Sequence, residues 1–242
     1  MLETKAEALI PSLEFHAHCR ALSSAFRGKL CAELSRQGGR RYEAGETVYA
    51  EGDLAQSIYF AKRGLVKTSV ITAAGEELGL QLHAAGDVFG ELCFCSGERR
   101  ERAITMESSE LVQIFAGTLV AQLQQSPEAL TTFLGLVCER LSESYDRLAM
   151  LSFDDTTTRL GRTLIKLGTQ LGRPTVGGVE IPHYVRQEDL AEMIGASREV
   201  VSSLLNRLRK LQLVEYRRKG RLLIRTSALL DYLERAGRTR RD

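Results

Sequence analysis

No stretch of the 242 residues approaches the roughly 20 consecutive apolar positions that a membrane-spanning helix needs, so no spanning helix and no membrane partner are expected. The N-terminus, MLETKAEALIPSLEFHAHC, lacks the basic start and continuous apolar block of a secretory signal, and the expected location is the cytoplasm. Regular cysteine spacing is also missing. Cys19, Cys31, Cys93, Cys95 and Cys138 form an odd, irregular set, which fits reduced thiols better than a disulfide framework. Histidine is scarce: between residues 40 and 115 only His83 occurs, whereas a catalytic metal held in a β-barrel of the cupin kind needs clustered His and carboxylate ligands. No metal site and no enzymatic activity are expected.

A large net charge is lacking as well, but the overall +2 conceals an asymmetry. From Arg159 onward 18 Lys and Arg stand against 9 Asp and Glu, a balance of +9, and the residues before it hold 15 against 22, a balance of −7. One half is built to approach a polyanion and the other is not. The length suffices for two domains with their own cores.

From about residue 40 to 115 glycines at 45, 52, 64, 75, 86 and 97 punctuate short runs such as SIYFA, LVKTSVIT and ELVQIF. The spacing, with β-branched and aromatic residues in the gaps, predicts antiparallel hairpins wound into a barrel or roll, with AAGEE (73–77) and AAGDV (84–88) as turns. Strand alternation would place Cys93 and Cys95 on one face with Phe94 opposite. Buried thiols explain that pair, with redox sensing, haem or metal as the alternatives.

The pattern changes at Ser126-Pro127-Glu128, a helix start with its cap, its N1 proline and its first-turn carboxylate. Leu130, Leu134, Val137, Leu141, Ser144, Leu148 and Leu151 then follow at spacings of 4, 3, 4, 3, 4 and 3, a heptad seam that predicts a dimer in preference to packing within one chain. Ser144, if buried there, needs a partner for its hydroxyl in the helix backbone, the other subunit or a ligand. Asp155 is a cap for a second helix, TTTRLGRTLIKLGTQL, that closes at Gly172.

In QEDLAEMIGASREVVSSLLNRLRKLQLV two short apolar-periodic segments meet at Gly195, with Ser197 as cap of the second and Leu211 as its last apolar position. This pattern predicts a helix-turn-helix. With Val201, Leu204 and Leu208 inward, Arg198, Glu199, Ser202, Ser203 and Asn206 lie outward, and those residue types read base edges or phosphates of double-stranded DNA; Gln187 and Ser197 border them. VEYRRKGRLLIR adds two strands around Lys219-Gly220, a wing whose Arg217, Arg218, Lys219 and Arg221 would hold phosphates. A ligand-binding module whose winged part contacts proteins is the rival, disfavoured by the +9 balance. Arg235, Arg238, Arg240 and Arg241 suggest a disordered, solubilising tail.

This order of parts, with AGDVFGEL in the roll and LAEMIGASREVV in the reader, resembles the cyclic-AMP receptor and fumarate-nitrate regulator (CRP/FNR) superfamily of bacterial transcription factors over residues 20–230. The resemblance implies an α+β chain in three parts. A β-roll of the double-stranded β-helix, cyclic-nucleotide-binding type, with short N-terminal helices, would occupy residues 1–125, a long dimerisation helix 126–153, and a winged helix-turn-helix 154–242. It implies a homodimer on a palindromic operator, contact with RNA polymerase, and a small-molecule effector between roll and long helix. Arg198 and Glu199 match the family's base-reading pair, while Ser203 stands where many members have arginine.

For the effector, the resemblance assigns the pocket to Gly90, Glu91, Leu92, Arg99, Arg100 and Ser144. In the nucleotide-binding branch the glutamate of GEL holds the ribose, an arginine followed by Ser or Thr holds the phosphate, and a hydroxyl at the position of Ser144 touches the base. No arginine among Arg99, Arg100 and Arg102 is followed by Ser or Thr, which leaves cyclic nucleotide, another ligand or none as effector. In FHAHC, with His16 and His18, Cys19 lies where the oxygen-sensing branch has a cluster ligand. The other thiolates of an iron-sulfur site are absent.

Overall fold

Short strands between glycine turns build the first part of the chain, as seen in a computed structural model that describes residues 34, 36–95, 97–216 and 221–238. They are β1 (Arg40–Tyr42), β2 (Thr47–Tyr49), β3 (Ser57–Arg63), β4 (Leu65–Ile71), β5 (Glu77–Ala84), β6 (Val88–Phe89), β7 (Arg102–Thr105) and β8 (Ser109–Phe115). Two four-stranded sheets result, in the orders β1-β8-β3-β6 and β2-β7-β4-β5. The pairings β1 with β8, β2 with β7, β3 with β6 and β3 with β8 are antiparallel, the last running from Ser57 opposite Phe115 to Arg63 opposite Glu110.

The near-continuous apolar run of β3 is explained by burial on both faces. Tyr59 and Ala61 join Tyr42, Tyr49, Val66, Phe89, Ala103 and Leu111 in one core cluster, while Ile58 and Phe60 join Leu34, Val112, Ile114 and Leu119 in another. AAGEE and AAGDV are the expected turns, with Gly75 and Gly86 at φ of 82° and 97°, a region that residues with a Cβ rarely adopt. One expectation fails here. Cys93 belongs to a 3-10 turn (Glu91–Phe94), not to a strand, so alternation does not place it with Cys95; Cys93 is half-buried and Cys95 exposed. Gly90, left-handed at φ 85°, diverts the chain from β6 into that turn.

After α1 (Ala116–Gln125) comes α2 (Pro127–Phe153), capped by Ser126, whose hydroxyl accepts from the Ala129 N–H at 3.2 Å. Helix α3 (Thr156–Leu171) starts where Asp155 accepts from the Thr158 N–H at 2.7 Å, and its Leu160, Leu164, Leu167 and Leu171 are buried. A hairpin of β9 (Arg173–Thr175) and β10 (Gly178–Ile181), helices α4 (Gln187–Ile194) and α5 (Arg198–Lys210), strands β11 (Val214–Tyr216) and β12 (Leu222–Ile224), and α6 (Thr226–Arg238) complete the chain. Their sheet runs β11-β12-β10-β9.

By contacts the chain forms two units, Met1–Lys67 with Leu82–Tyr145, and Thr68–Gln81 with Asp146–Asp242. Two further expectations are corrected. Arg235 and Arg238 lie in α6, with Arg235 Nε donating to the Asp231 carbonyl at 3.1 Å, so the C-terminal basic residues up to 238 are helical and not a disordered tail. Leu211 lies past the end of α5 and is exposed, because Gln212 turns to φ 57° and closes the helix. The FHAHC segment, Arg240 and Arg241 lie outside the described residues. No described helix is long and apolar enough to cross a membrane.

Candidate nucleic-acid interface

Helix α4 is fixed at both ends by side chains. At its start the Arg186 N–H donates to Asp189 Oδ2 at 3.0 Å while the Arg186 guanidinium spans both oxygens of this fully buried carboxylate. At its end Gly195 takes the left-handed conformation (φ 60°, ψ 54°) that the tight turn needs. Arg147 Nη2 reaches the Met193 carbonyl at 3.1 Å and Arg159 Nη1 the Ile194 carbonyl at 2.7 Å, placing cations at the negative end of the helix dipole. Neither arginine carried a sequence signal, since each sits more than 30 residues from its acceptor.

Helix α5 begins where Ser197 Oγ accepts from the Val200 N–H at 3.4 Å. Val201, Leu205 and Leu208 are buried and Leu204 half-buried, which leaves Arg198, Glu199, Ser203 and Asn206 exposed and Ser202 half-exposed. These residues line one open groove of about 710 Å³ together with Gln187, Arg207 and Lys210. Arg207 and Lys210 were not anticipated. They lie 4 and 7 residues past Ser203, so helical spacing alone could have found them. Hydrogen bonds from the Glu199 backbone and Ser197 hold the Glu199 carboxyl below its usual range, leaving it an ionised acceptor.

The amide of Gln187 is engaged with the hydroxyl of Tyr216 on β11, whose titration burial pushes up. In the wing the two strands form as expected, and Arg217, Arg218 and Lys219 lie outside the described residues. Arg221 is exposed, and its Nη1 donates to Glu180 at 3.2 Å.

Along α2 the seam residues Leu130, Leu134, Val137, Leu141 and Leu148 are 40% to 65% exposed in the single chain. Leucines so aligned and uncovered mark a surface that packs against something. Leu151 departs from this pattern: it is half-buried, and the space beside Gly195 is bounded by its Cδ2. The Ser144 hydroxyl donates to the Arg140 carbonyl at 2.8 Å, so of its three prospective partners the helix backbone supplies one.

Of the roll residues assigned to a nucleotide the structure brings Gly90 and Arg99 together, and the charged groups of Arg99 and Glu91 are already engaged. Arg99 is buried (5% exposed), with Nη1 donating to the Gly90 carbonyl at 3.1 Å, Nη2 to the Ser57 carbonyl at 2.5 Å, and its guanidinium 4.0 Å from the Tyr49 ring centre. Glu91 forms a 3.6 Å ion pair with Arg140. Arg100 is exposed, as is Leu92.

Glu101 adds a buried carboxyl, bonded by the Tyr49 hydroxyl at 2.8 Å and pushed up in pKa by burial. His83, stacked on Phe89 at 5.0 Å, is held neutral by burial and then by Arg140. A cyclic phosphate would have to displace two backbone carbonyls from Arg99 beside two carboxyl groups. These residues do not fit a cyclic nucleotide. Among the described residues no group of three His, Cys, Asp or Glu side chains could hold a metal ion.

Residues 39–126 match the model of the cyclic nucleotide-binding domain, and residues 158–232 that of the Crp-like helix-turn-helix domain. The chain is 31% identical over 193 residues to the cyclic AMP receptor protein of Thermus thermophilus, covering 79% of this chain and 86% of that one. It is 28% identical over 203 residues to the global nitrogen regulator of Synechocystis sp., covering 83% and 90%. In fold it is similar to FixK2 from Bradyrhizobium japonicum, with a TM-score of 0.72 at 18% identity over 79% of this chain and 94% of that one.

Proposed function

We propose, because this chain belongs to the CRP/FNR family of transcription regulators, that two copies join along α2 and set their α5 helices into successive major grooves of a palindromic operator. The chain is a transcription regulator with a helix-turn-helix DNA-binding domain. The observation that carries the fuller reading is the outer face of α5, where Arg198, Glu199, Ser203 and Asn206 stand exposed above a buried apolar face. In this reading residues 1–125 sense a signal, 126–153 form the dimer, 154–242 bind DNA, and the protein contacts RNA polymerase in the cytoplasm. Random-site selection with the full chain tests it: a two-fold symmetric sequence is expected, and an unenriched pool would refute it.

The Gln187 amide, Ser197 at the α5 cap, and Arg207 and Lys210 flank the reading face and supply phosphate contacts. Arg217, Arg218, Lys219 and Arg221 supply more from the wing. Neutralising Arg217 and Arg218 together is expected to flatten the dependence of log affinity on log salt by about 0.9 for each phosphate that the wing no longer neutralises. An identical slope would place the wing away from DNA.

The signal sensed by the roll is not a cyclic nucleotide in this reading. Titrating cyclic AMP or cyclic GMP into the folded protein should give no binding heat and leave operator affinity unchanged; a saturable heat would restore the nucleotide pocket. Burial raises the Cys93 thiol pKa, which disfavours the reactive thiolate, so a redox signal at that residue is also disfavoured.

A further inference from the structure

Arg198 already has a companion in the protein. The carboxylate of Glu188, in the first turn of α4, lies 2.8 Å from its Nε, with the two side chains 63% and 45% exposed for Arg198 and Glu188 respectively. At the start of α4 Arg186 and Asp189 bind one another, Gln187 binds Tyr216, and Glu188 pairs with Arg198 of α5. An ion pair this exposed contributes little to stability. Its geometry bears on recognition instead.

The 2.8 Å contact is made at the inner nitrogen of the guanidinium, Nε, and not at the terminal Nη1 or Nη2. Those two terminal nitrogens suffice to donate in parallel to N7 and O6 of guanine. A free arginine carries much rotamer freedom, and a carboxylate that limits the guanidinium to one sector lowers the cost of ordering it on the correct base. The same negative charge, set beside the groove, repels phosphates and weakens binding to any sequence.

We infer that Glu188 is a positioning residue for base reading, which sharpens the selectivity of Arg198 while reducing sequence-independent affinity. This rests on the reading of Arg198 as a base contact. A carboxylate in a first helical turn also complements the helix dipole, so the test must separate a purely structural role from action through Arg198.

The full-length chain and its Glu188→Ala, Glu188→Gln, Arg198→Ala and Glu188→Ala/Arg198→Ala variants are compared on three duplexes. These are the palindrome enriched by random-site selection, the same duplex changed at the base whose preference Arg198→Ala relaxes, and an unrelated duplex. Thermal unfolding of each variant monitors the fold. Glu188→Ala is expected to bind the unrelated duplex about 2- to 5-fold tighter and to lose about 3- to 5-fold of its preference for the correct base. Glu188→Gln, which keeps an acceptor oxygen, should regain part of that preference, and it carries the test if the alanine variant does not fold.

In the Arg198→Ala background, removing Glu188 should still tighten binding to the unrelated duplex but leave base preference unaltered. Unchanged preference in both single Glu188 variants would overturn the inference, as would an equal loss with and without Arg198. If Arg198→Ala itself left base choice intact, the reading of Arg198 would fail first and the role of Glu188 with it.

Discussion

Replacing Leu141 with aspartate is expected to halve the mass in sedimentation and to lower operator affinity by about a hundredfold or more. Leu141 sits in the middle of the α2 seam, half exposed in a single chain, and a two-fold axis along that helix would bring its copy opposite. An aspartate there buries two like charges without partners, which costs more than a few leucine contacts recover. Once monomeric, each chain binds one half-site without the raised effective concentration that the second half-site enjoys in a dimer. Leu141→Met, similar in volume and apolar, should keep both mass and affinity. A dimer of unchanged mass in the aspartate variant would mean that the exposed leucines pack elsewhere.

Arg198→Ala is the second large effect. Removing a bidentate hydrogen-bond pair to guanine takes away roughly 1–3 kcal/mol at each half-site, and the deficit acts twice on a symmetric operator. The sharper signature is qualitative: the base beneath Arg198 should lose its preference in random-site selection while neighbouring positions keep theirs. Ser203, exposed further along the same helix, is too short to replace that interaction. A selection logo identical to that of the unaltered protein would remove Arg198 from the reading set.

The parts legible in the sequence are those governed by near neighbours along the chain. Ser126 and Asp155 cap helices because each hydroxyl or carboxylate needs only the N–H three residues ahead. Gly75, Gly86 and Gly195 mark turns because a positive φ is a property of one residue. The leucine spacing of α2 and the inward Val201 and Leu208 of α5 follow from the helical repeat, while Leu204, read as inward with them, is only half-buried and Leu205 takes the buried place.

Where strand alternation was extended over GELCFC it failed, since the left-handed Gly90 converted that run into a 3-10 turn and separated the surroundings of Cys93 and Cys95. Leu151 kept the seam spacing yet turned toward Gly195, because the last turn of a helix meets whatever follows it. The arginines near the C-terminus suggested a solvated tail, but Leu229 and Leu233, just before them, bury one face and draw Arg235 into a helix.

The sequence by itself determined the order of parts, the family and the helix-turn-helix, for each depends on periodicity or on residues within a turn or two of one another. Only the tertiary structure decided which charges remain free to meet a ligand. Arg99 found its acceptors on Gly90 and Ser57, 9 and 42 residues away, and Arg198 found Glu188 across a helix-helix turn. An arginine has the same composition and the same local pattern whether its guanidinium faces water, a nucleotide or a backbone carbonyl. Burial and long-range packing alone distinguish those cases, since desolvation makes every buried donor take whatever acceptor the fold brings to it.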